Sequence, residues 1–157
     1  MGTFRCVIVL VAVLALAPLA FAGPTEDVDA VVDHWVTAFN SNDVGALANL
    51  YAPDAILLGT AGLSLNEGSE AVRSYFDRLA KSGDKVSINN RKIVVLDGNV
   101  AYVTGFYEFK ATRNGETRKS PAGFTMVLVK RGNDWLIAHH HSSRRSLAPL
   151  TLPLRRG

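Results

Sequence analysis

Between residues 25 and 39, apolar side chains fall at Val28, Val31, Val32, Trp35 and Phe39. Steps of three, four and seven predict a helix with a single apolar stripe. Thr25 is expected to cap it, with Glu26, Asp27 and Asp29 at its positive end and Asn40-Ser41-Asn42 as its stop. Asp43 is placed to cap a second, short helix through Ala46, Leu47 and Leu50. Tyr51-Ala52-Pro53-Asp54 reads as a turn, Ala55-Ile56-Leu57-Leu58 as a short strand, and Gly59 to Gly68 as a loop. Ser69 then opens a third helix whose apolar face is Val72, Tyr75, Phe76 and Leu79, with Gly83 as its stop.

After Lys85 the pattern changes to extended runs: Val86 to Leu96, Asn99 to Thr112, Thr117 to Lys130 and Trp135 to Ser143. Asp97-Gly98, Asn114-Gly115 and Gly132-Asn133 separate them, the first two being strong hairpin signals. The order α-α-β-α-β-β-β-β predicts an α+β fold, with three N-terminal helices against one face of a curved, mostly antiparallel sheet.

The first 22 residues do not belong to that pattern. Arg5 is their only charge, Cys6 to Leu16 is almost wholly apolar, and Ala20-Phe21-Ala22 is a small-x-small cleavage site. We expect a signal peptide over residues 1–22, cleaved after Ala22, which leaves 135 residues, enough for one domain. The domain is expected over 23–146, followed by a disordered basic tail over 147–157 containing Pro149 and Pro153. Cys6 is the only cysteine, so the processed chain has no disulfide, thiolate nucleophile or thiolate metal site. Export without disulfides suits a periplasmic or secreted protein, with no membrane association after cleavage.

The formal charge of +3 is a property of the ends. Residues 23–143 hold 12 basic and 14 acidic groups, whereas Arg144, Arg145, Arg155 and Arg156 crowd the C-terminus. The folded part lacks a basic face with interleaved aromatics, which argues against nucleic acid as a partner. A Gly-rich phosphate loop, a His-Arg-Asp loop and an Asp-Phe-Gly motif are all missing, which excludes a kinase.

The element order, Tyr51-Ala52-Pro53-Asp54-Ala55 closing the second helix, and the final Trp135-Leu136-Ile137-Ala138-His139-His140-His141-Ser142-Ser143 together resemble the nuclear transport factor two-like superfamily. Within it, residues 25–146 are most similar to the calcium/calmodulin-dependent protein kinase II association domain and its SnoaL-like bacterial relatives. The resemblance implies a cone-shaped, cystatin-like sheet whose mouth holds a ligand. In the kinase this domain is an oligomerisation hub without catalytic activity. The hub holds small carboxylates with a histidine from the third helix and arginines from the last three strands. The matching positions here are Val72, Thr104, Met126 and Ser142, which implies a neutral or hydrophobic ligand instead.

Alternation sets His139 and His141 on one strand face and His140 on the other. If Ser142 faces the cone, so does His140, the candidate general base. His139 and His141, with Cβ atoms roughly 7 Å apart, lack an evident third metal ligand, so no metal and no other cofactor is expected. The expected cavity lining is Val72, Tyr75, Tyr102, Thr104, Met126 and Ser142. Isomerases and cyclases of the superfamily also need a carboxylate and a hydroxyl donor. Tyr51, Tyr75 and Tyr102 are candidate hydroxyls, but Glu108 is the only strand-borne acid on offer. Asp54 reads as a turn residue and His34 beside Asp33 as solvated; Trp35, Phe39, Phe76 and Trp135 could form an aromatic ligand cage, but helical spacing already explains the first three as core.

An outer sheet face containing Ala101, Val103, Gly105, Val127, Val129 and Ile137 would be too apolar for water. This predicts a homo-oligomer, with His139, His141, Ile137, Val103 and Val127 at the interface. The leading expectation is an exported small-molecule-binding or self-association module without kinase activity. The alternative is a SnoaL-like isomerase, cyclase or hydrolase acting on a small hydrophobic carbonyl compound. A third possibility is a module that binds another periplasmic protein.

Overall fold

Pro24 begins the first helix, α1 (Pro24–Ser41), because its fixed φ suits the first helical position and its missing N–H is not needed there. Gly23, not Thr25, is the N-cap, and no side chain caps this end. Val28, Val31, Val32, Trp35, Ala38 and Phe39 are buried along one stripe. The helix ends where Asn42 turns left-handed (φ 57°) and its N–H bonds back to Ala38 and Phe39. Asp43 caps α2 (Val44–Asn49) by accepting a 2.9 Å bond from the Ala46 N–H.

The computed structural model describes residues 23–145 except 61, 63 and 81. The expected signal peptide, Cys6, the whole of the expected tail and the side chain of Leu79 lie outside the described residues. Beyond α2 the chain runs through β1 (Tyr51–Leu58), a two-residue β2 (Asn66–Glu67) and α3 (Gly68–Ala80). It then forms a meander of β3 (Lys85–Asp97), β4 (Val100–Arg113), β5 (Glu116–Arg131) and β6 (Asp134–Arg144). Ser69 lies inside α3 and does not precede it. Asn114 (φ 51°) and Gly115 (φ 82°) form the two-residue turn with both φ positive that the Asn-Gly pair favours.

The six strands form one mixed sheet, ordered β2-β1-β6-β5-β4-β3. Only the β1–β6 pairing is parallel. Tyr51 to Asp54, expected as a turn, is the first half of β1. The expectation missed the pairing but not the irregularity: β1 advances from Tyr51 to Ile56 while its partner β6 advances only from Ile137 to His139. Pro53, which has no N–H to give a ladder, lies within that offset.

Helix α1 packs on β3 and β6, and α3 packs on β1 and α2. Two polar clamps fix α1 to the edge strand β3. The Asn40 amide donates to Val86 O (2.9 Å) and accepts from Val86 N–H (2.7 Å), as a neighbouring strand would. Arg91 bridges Asp29 and Asp33, one turn apart on α1, at 2.6 Å each. These two carboxylates raise the guanidinium pKa further above its ordinary value, Asp33 contributing most.

Two register facts correct the expected sheet faces. Val103 lies opposite Met126, and Met126 opposite His140, so these three share the inner face. Val103 and Ala101 are fully buried against the helices and are not on an outer interface. Thr104 and Tyr102 therefore point outward, away from the helices, and Thr104 borders only a shallow pocket on the outer face, since one residue of slip exchanges faces. In β6, Leu128 pairs with Ile137 and Val127 with His139, which leaves Ala138 bulged. The bulge puts Trp135 and Ile137 on the same buried side as His140 and Ser142. Strict alternation had assigned Ile137 to the outer face.

Candidate functional site

His140 reaches the centre of the fold because β6 is flanked by β5 and β1 and covered by α1. It is 2 % exposed. The edge of its ring meets Trp35 of α1, with centroids 5.4 Å apart, and Phe124 of β5 lies at 6.4 Å. Its Nδ1 is 2.8 Å from the Tyr51 hydroxyl, which also accepts a 3.0 Å bond from Trp35 Nε1–H. The apolar stripe of α1, the first residue of β1 and the inner face of β6 thus meet in one buried chain, Trp35–Tyr51–His140.

Burial dominates the electrostatics. It lowers the His140 pKa to about 3, with smaller contributions from the neighbouring His139 and His141, so the imidazole is neutral at pH 7. Burial likewise raises the Tyr51 phenol well above its ordinary value, against the opposing bond from Trp35. Tyr107 is pushed up to about 12 by burial, which outweighs its bonds to Ser142 and Thr60.

A cavity of about 150 Å³ opens beside His140. Its apolar wall includes Trp35, Phe39, Leu57, Phe76 and Phe109. The polar lining is a bank of hydroxyls: Thr60 and Ser142, hydrogen-bonded to each other, together with Tyr75, Tyr107 and Ser120. Among the described residues, Asp84 and Arg144 are the charged members of the lining, and Asp84 is ion-paired with Arg113 at 2.7 Å. Gly59 is needed on this wall, because a Cβ there would run into the Tyr75 ring, within 2.6 Å of Cε2. The volume is of the order that admits one small ring compound.

Of the expected lining residues, Tyr75 and Ser142 border the cavity, while Val72 and Met126 are fully buried in the core behind it. His139 and His141 lie on the outer face, half-buried and exposed respectively. Val127 is on that face too, half-buried. Glu108 points outward to Lys119 at 3.2 Å, and Asp54 to Arg131 at 3.6 Å, so neither carboxylate reaches His140. Among the described residues, no group of three potential ligands is arranged to hold a metal ion.

Sequence reasoning missed Tyr107 and Thr60, and it preferred core over an aromatic ligand cage for Trp35, Phe39, Phe76 and Trp135, of which the first three border the cavity. Tyr107 was within reach: it is an even number of residues from Val103, so correct placement of Val103 brings it inside. Thr60, in an irregular loop, carries no periodic signal.

A mixed sheet with N-terminal helices covering an aromatic cavity defines a protein of the nuclear transport factor 2-like, cystatin-like class. Within that class the chain belongs to the SnoaL-like domain family, whose model matches residues 28–147. It is similar to a Xanthomonas campestris protein described as a calcium/calmodulin-dependent protein kinase II association domain. The two are 31 % identical over 88 % of this chain and 100 % of that one, with a TM-score of 0.74. A ketosteroid isomerase-like protein from Erwinia carotovora atroseptica is 20 % identical over 80 % of this chain and 99 % of that one, with a TM-score of 0.69. A nuclear transport factor 2-like superfamily protein from Salmonella enterica serovar Typhimurium is 18 % identical over 81 % and 94 %, with a TM-score of 0.70. The last two likenesses bear on the fold alone. No curated protein matches the sequence.

Proposed function

We propose that the protein is an exported module, without kinase activity, that holds a small, neutral, largely apolar molecule in the cavity beside His140. One observation carries this reading: a buried imidazole, neutral at pH 7, stands in the wall of an aromatic cavity of about 150 Å³. An imidazole whose pKa is lowered to about 3 is a weak base, and the one carboxylate among the described lining residues, Asp84, is already paired with Arg113. Binding therefore accounts for the site better than isomerase, cyclase or hydrolase chemistry with His140 as base. Export to the periplasm rests on the signal-like residues 1–22.

Native mass spectrometry of residues 23–157 recovered from a periplasm tests the reading. A retained small molecule, displaced when Gly59→Ala pushes Tyr75 into the cavity, is the expected result. Protein that emerges empty and whose melting temperature is unmoved by millimolar acetophenone would overturn it.

Self-association is a second reading, favoured by the outer sheet face. Phe106 is 39 % exposed there, and Tyr102, Val127 and His139 form a half-buried row across β4, β5 and β6 on the same face. The Xanthomonas neighbour is itself described as an association domain. The proposed interface loses Val103 and Ile137, which are fully buried within one chain. Size-exclusion chromatography with light scattering decides it: a monomer at micromolar concentration would defeat it.

A further inference from the structure

The last described residue, Arg145, continues the pairing of β6 with β5 by donating its N–H to Pro121 O at 2.9 Å. Its guanidinium lies over the Phe106 ring on the outer sheet face, 4.0 Å from the centroid. Phe106 borders a shallow groove of about 190 Å³ on that face, with Thr104, Gly123, Thr125, His141 and Ser143. The floor has few donors left to offer. The Thr104 hydroxyl donates to Phe124 O (3.0 Å) and the Thr125 hydroxyl to Thr104 Oγ1 (3.2 Å), so both protons are spent within the sheet. Leu58, beside His141 in the register, and the neighbouring row of Tyr102 and Val127 extend the apolar surface. Among the described residues, no Lys, Arg, Asp or Glu borders the groove.

The sequence that follows Arg145 suits this surface. Ser146-Leu147-Ala148-Pro149-Leu150-Thr151-Leu152-Pro153-Leu154-Arg155-Arg156-Gly157 holds four leucines against two charges, which is not the composition of a segment that favours water. Leu150, Leu152 and Leu154 alternate, which sets them on one side of an extended chain, and Pro149 and Pro153 oppose a helix. A segment of this length reaches roughly 40 Å when extended. The span from β6 to β4 is only about 10 Å.

We propose that residues 147–157 fold back across the outer sheet face of their own chain, Leu150, Leu152 and Leu154 covering the groove between Phe106 and His141. The segment is then a built-in cover, not the disordered tail expected from the sequence, and a second copy gains this face only when the cover lifts. The tether favours the chain's own segment over any other occupant: a short link presents it at a roughly millimolar local concentration, above that of a second copy at micromolar protein. Arg145, stacked on Phe106, starts the segment at the rim of the groove. The inference is independent of the small-molecule reading, and it names what regulates the face invoked for self-association.

Residues 23–157 contain no cysteine, so Thr151→Cys accepts a single nitroxide between the alternating leucines. In the ¹⁵N-labelled chain, the backbone amides of Thr104, Phe106, Thr125 and His141 are expected to lose intensity and to regain it when the nitroxide is reduced. The same chain carrying Leu150→Asp, Leu152→Asp and Leu154→Asp keeps the tether but should lose that broadening. Equal broadening in the two chains overturns the proposal, because tethering alone would then bring the label near the sheet. No broadening in either chain overturns it as well. Nitroxide-labelled ¹⁴N chain mixed with unlabelled-cysteine-free ¹⁵N chain reads transfer between copies; broadening as strong there would make a second copy's segment the occupant and overturn the assignment to the chain's own. Light scattering reads self-association separately, and the aspartate variant is expected to dimerise about tenfold more tightly than the wild type. If both dimerise equally, the segment does not guard the face. If neither dimerises, the self-association reading fails alone, and the docked segment stands on the broadening.

Discussion

Acidification from pH 7 to pH 5 is expected to weaken the fold through His140. Its pKa is lowered from 6.5 to about 3 on folding, so the unfolded chain binds this proton first. The sign follows: the stabilisation is fully present above pH 6.5 and is lost as pH falls from 6.5 towards 3. Each pH unit between those limits costs about 1.4 kcal/mol, so the loss from pH 7 to pH 5 is about 2 kcal/mol. Asn at position 140 keeps an acceptor near Tyr51 and does not titrate. Urea unfolding followed by the fluorescence of Trp35 and Trp135, at pH 7, 6 and 5, provides the measurement. The wild-type midpoint should fall with pH much more steeply than that of His140→Asn, because every other titrating group is common to both. If the two free energies fall in parallel, to within about 0.5 kcal/mol, burial of a neutral imidazole does not control the acid response, and the argument fails.

Three substitutions probe other parts of the structure. Tyr51→Phe removes the bonds to Trp35 and His140 and orphans two buried nitrogens, for an expected loss of about 2–3 kcal/mol in urea unfolding; a loss below about 0.5 kcal/mol would show that the chain is not formed. Gly105→Ala places a Cβ against Asn90 O and within 2.9 Å of Arg91 Cα, backbone atoms that cannot turn away. It should cost about 1–3 kcal/mol and lower the melting temperature, and an unchanged melting curve would contradict the close approach of β3 to β4. Arg91→Ala cuts the exposed bridge from β3 to Asp29 and Asp33. Its cost should be at most about 1 kcal/mol at low ionic strength and should shrink in molar salt; a larger or salt-independent loss would mean the bridge acts through packing.

The four long strands and the α1 stripe were legible because each rests on local periodicity. Val28, Val32 and Trp35 repeat at helical spacing, and Asn114-Gly115 has the left-handed tolerance a tight hairpin requires. The sheet faces were less legible, because period-two alternation states which residues share a face but not which face is buried. Both Thr104, misplaced by one residue, and Ile137, carried inward by the bulge at Ala138, show that an error of one position reverses an assignment. The faces of His139, His140 and His141 could be read because these residues follow the bulge in unbroken alternation.

By itself the sequence determined the order of the elements, the α+β class, the family resemblance and the presence of a histidine on the inner face of the last strand. Each follows from residues near one another in the chain. Only the tertiary structure decided that Trp35, Tyr51 and His140, from α1, β1 and β6, form one hydrogen-bonded chain. It also decided that the cavity beside them is aromatic and lined with hydroxyls. Those contacts join residues 16 and 89 positions apart. Their geometry depends on strand register, on the Ala138 bulge and on the packing of α1, none of which local propensity encodes.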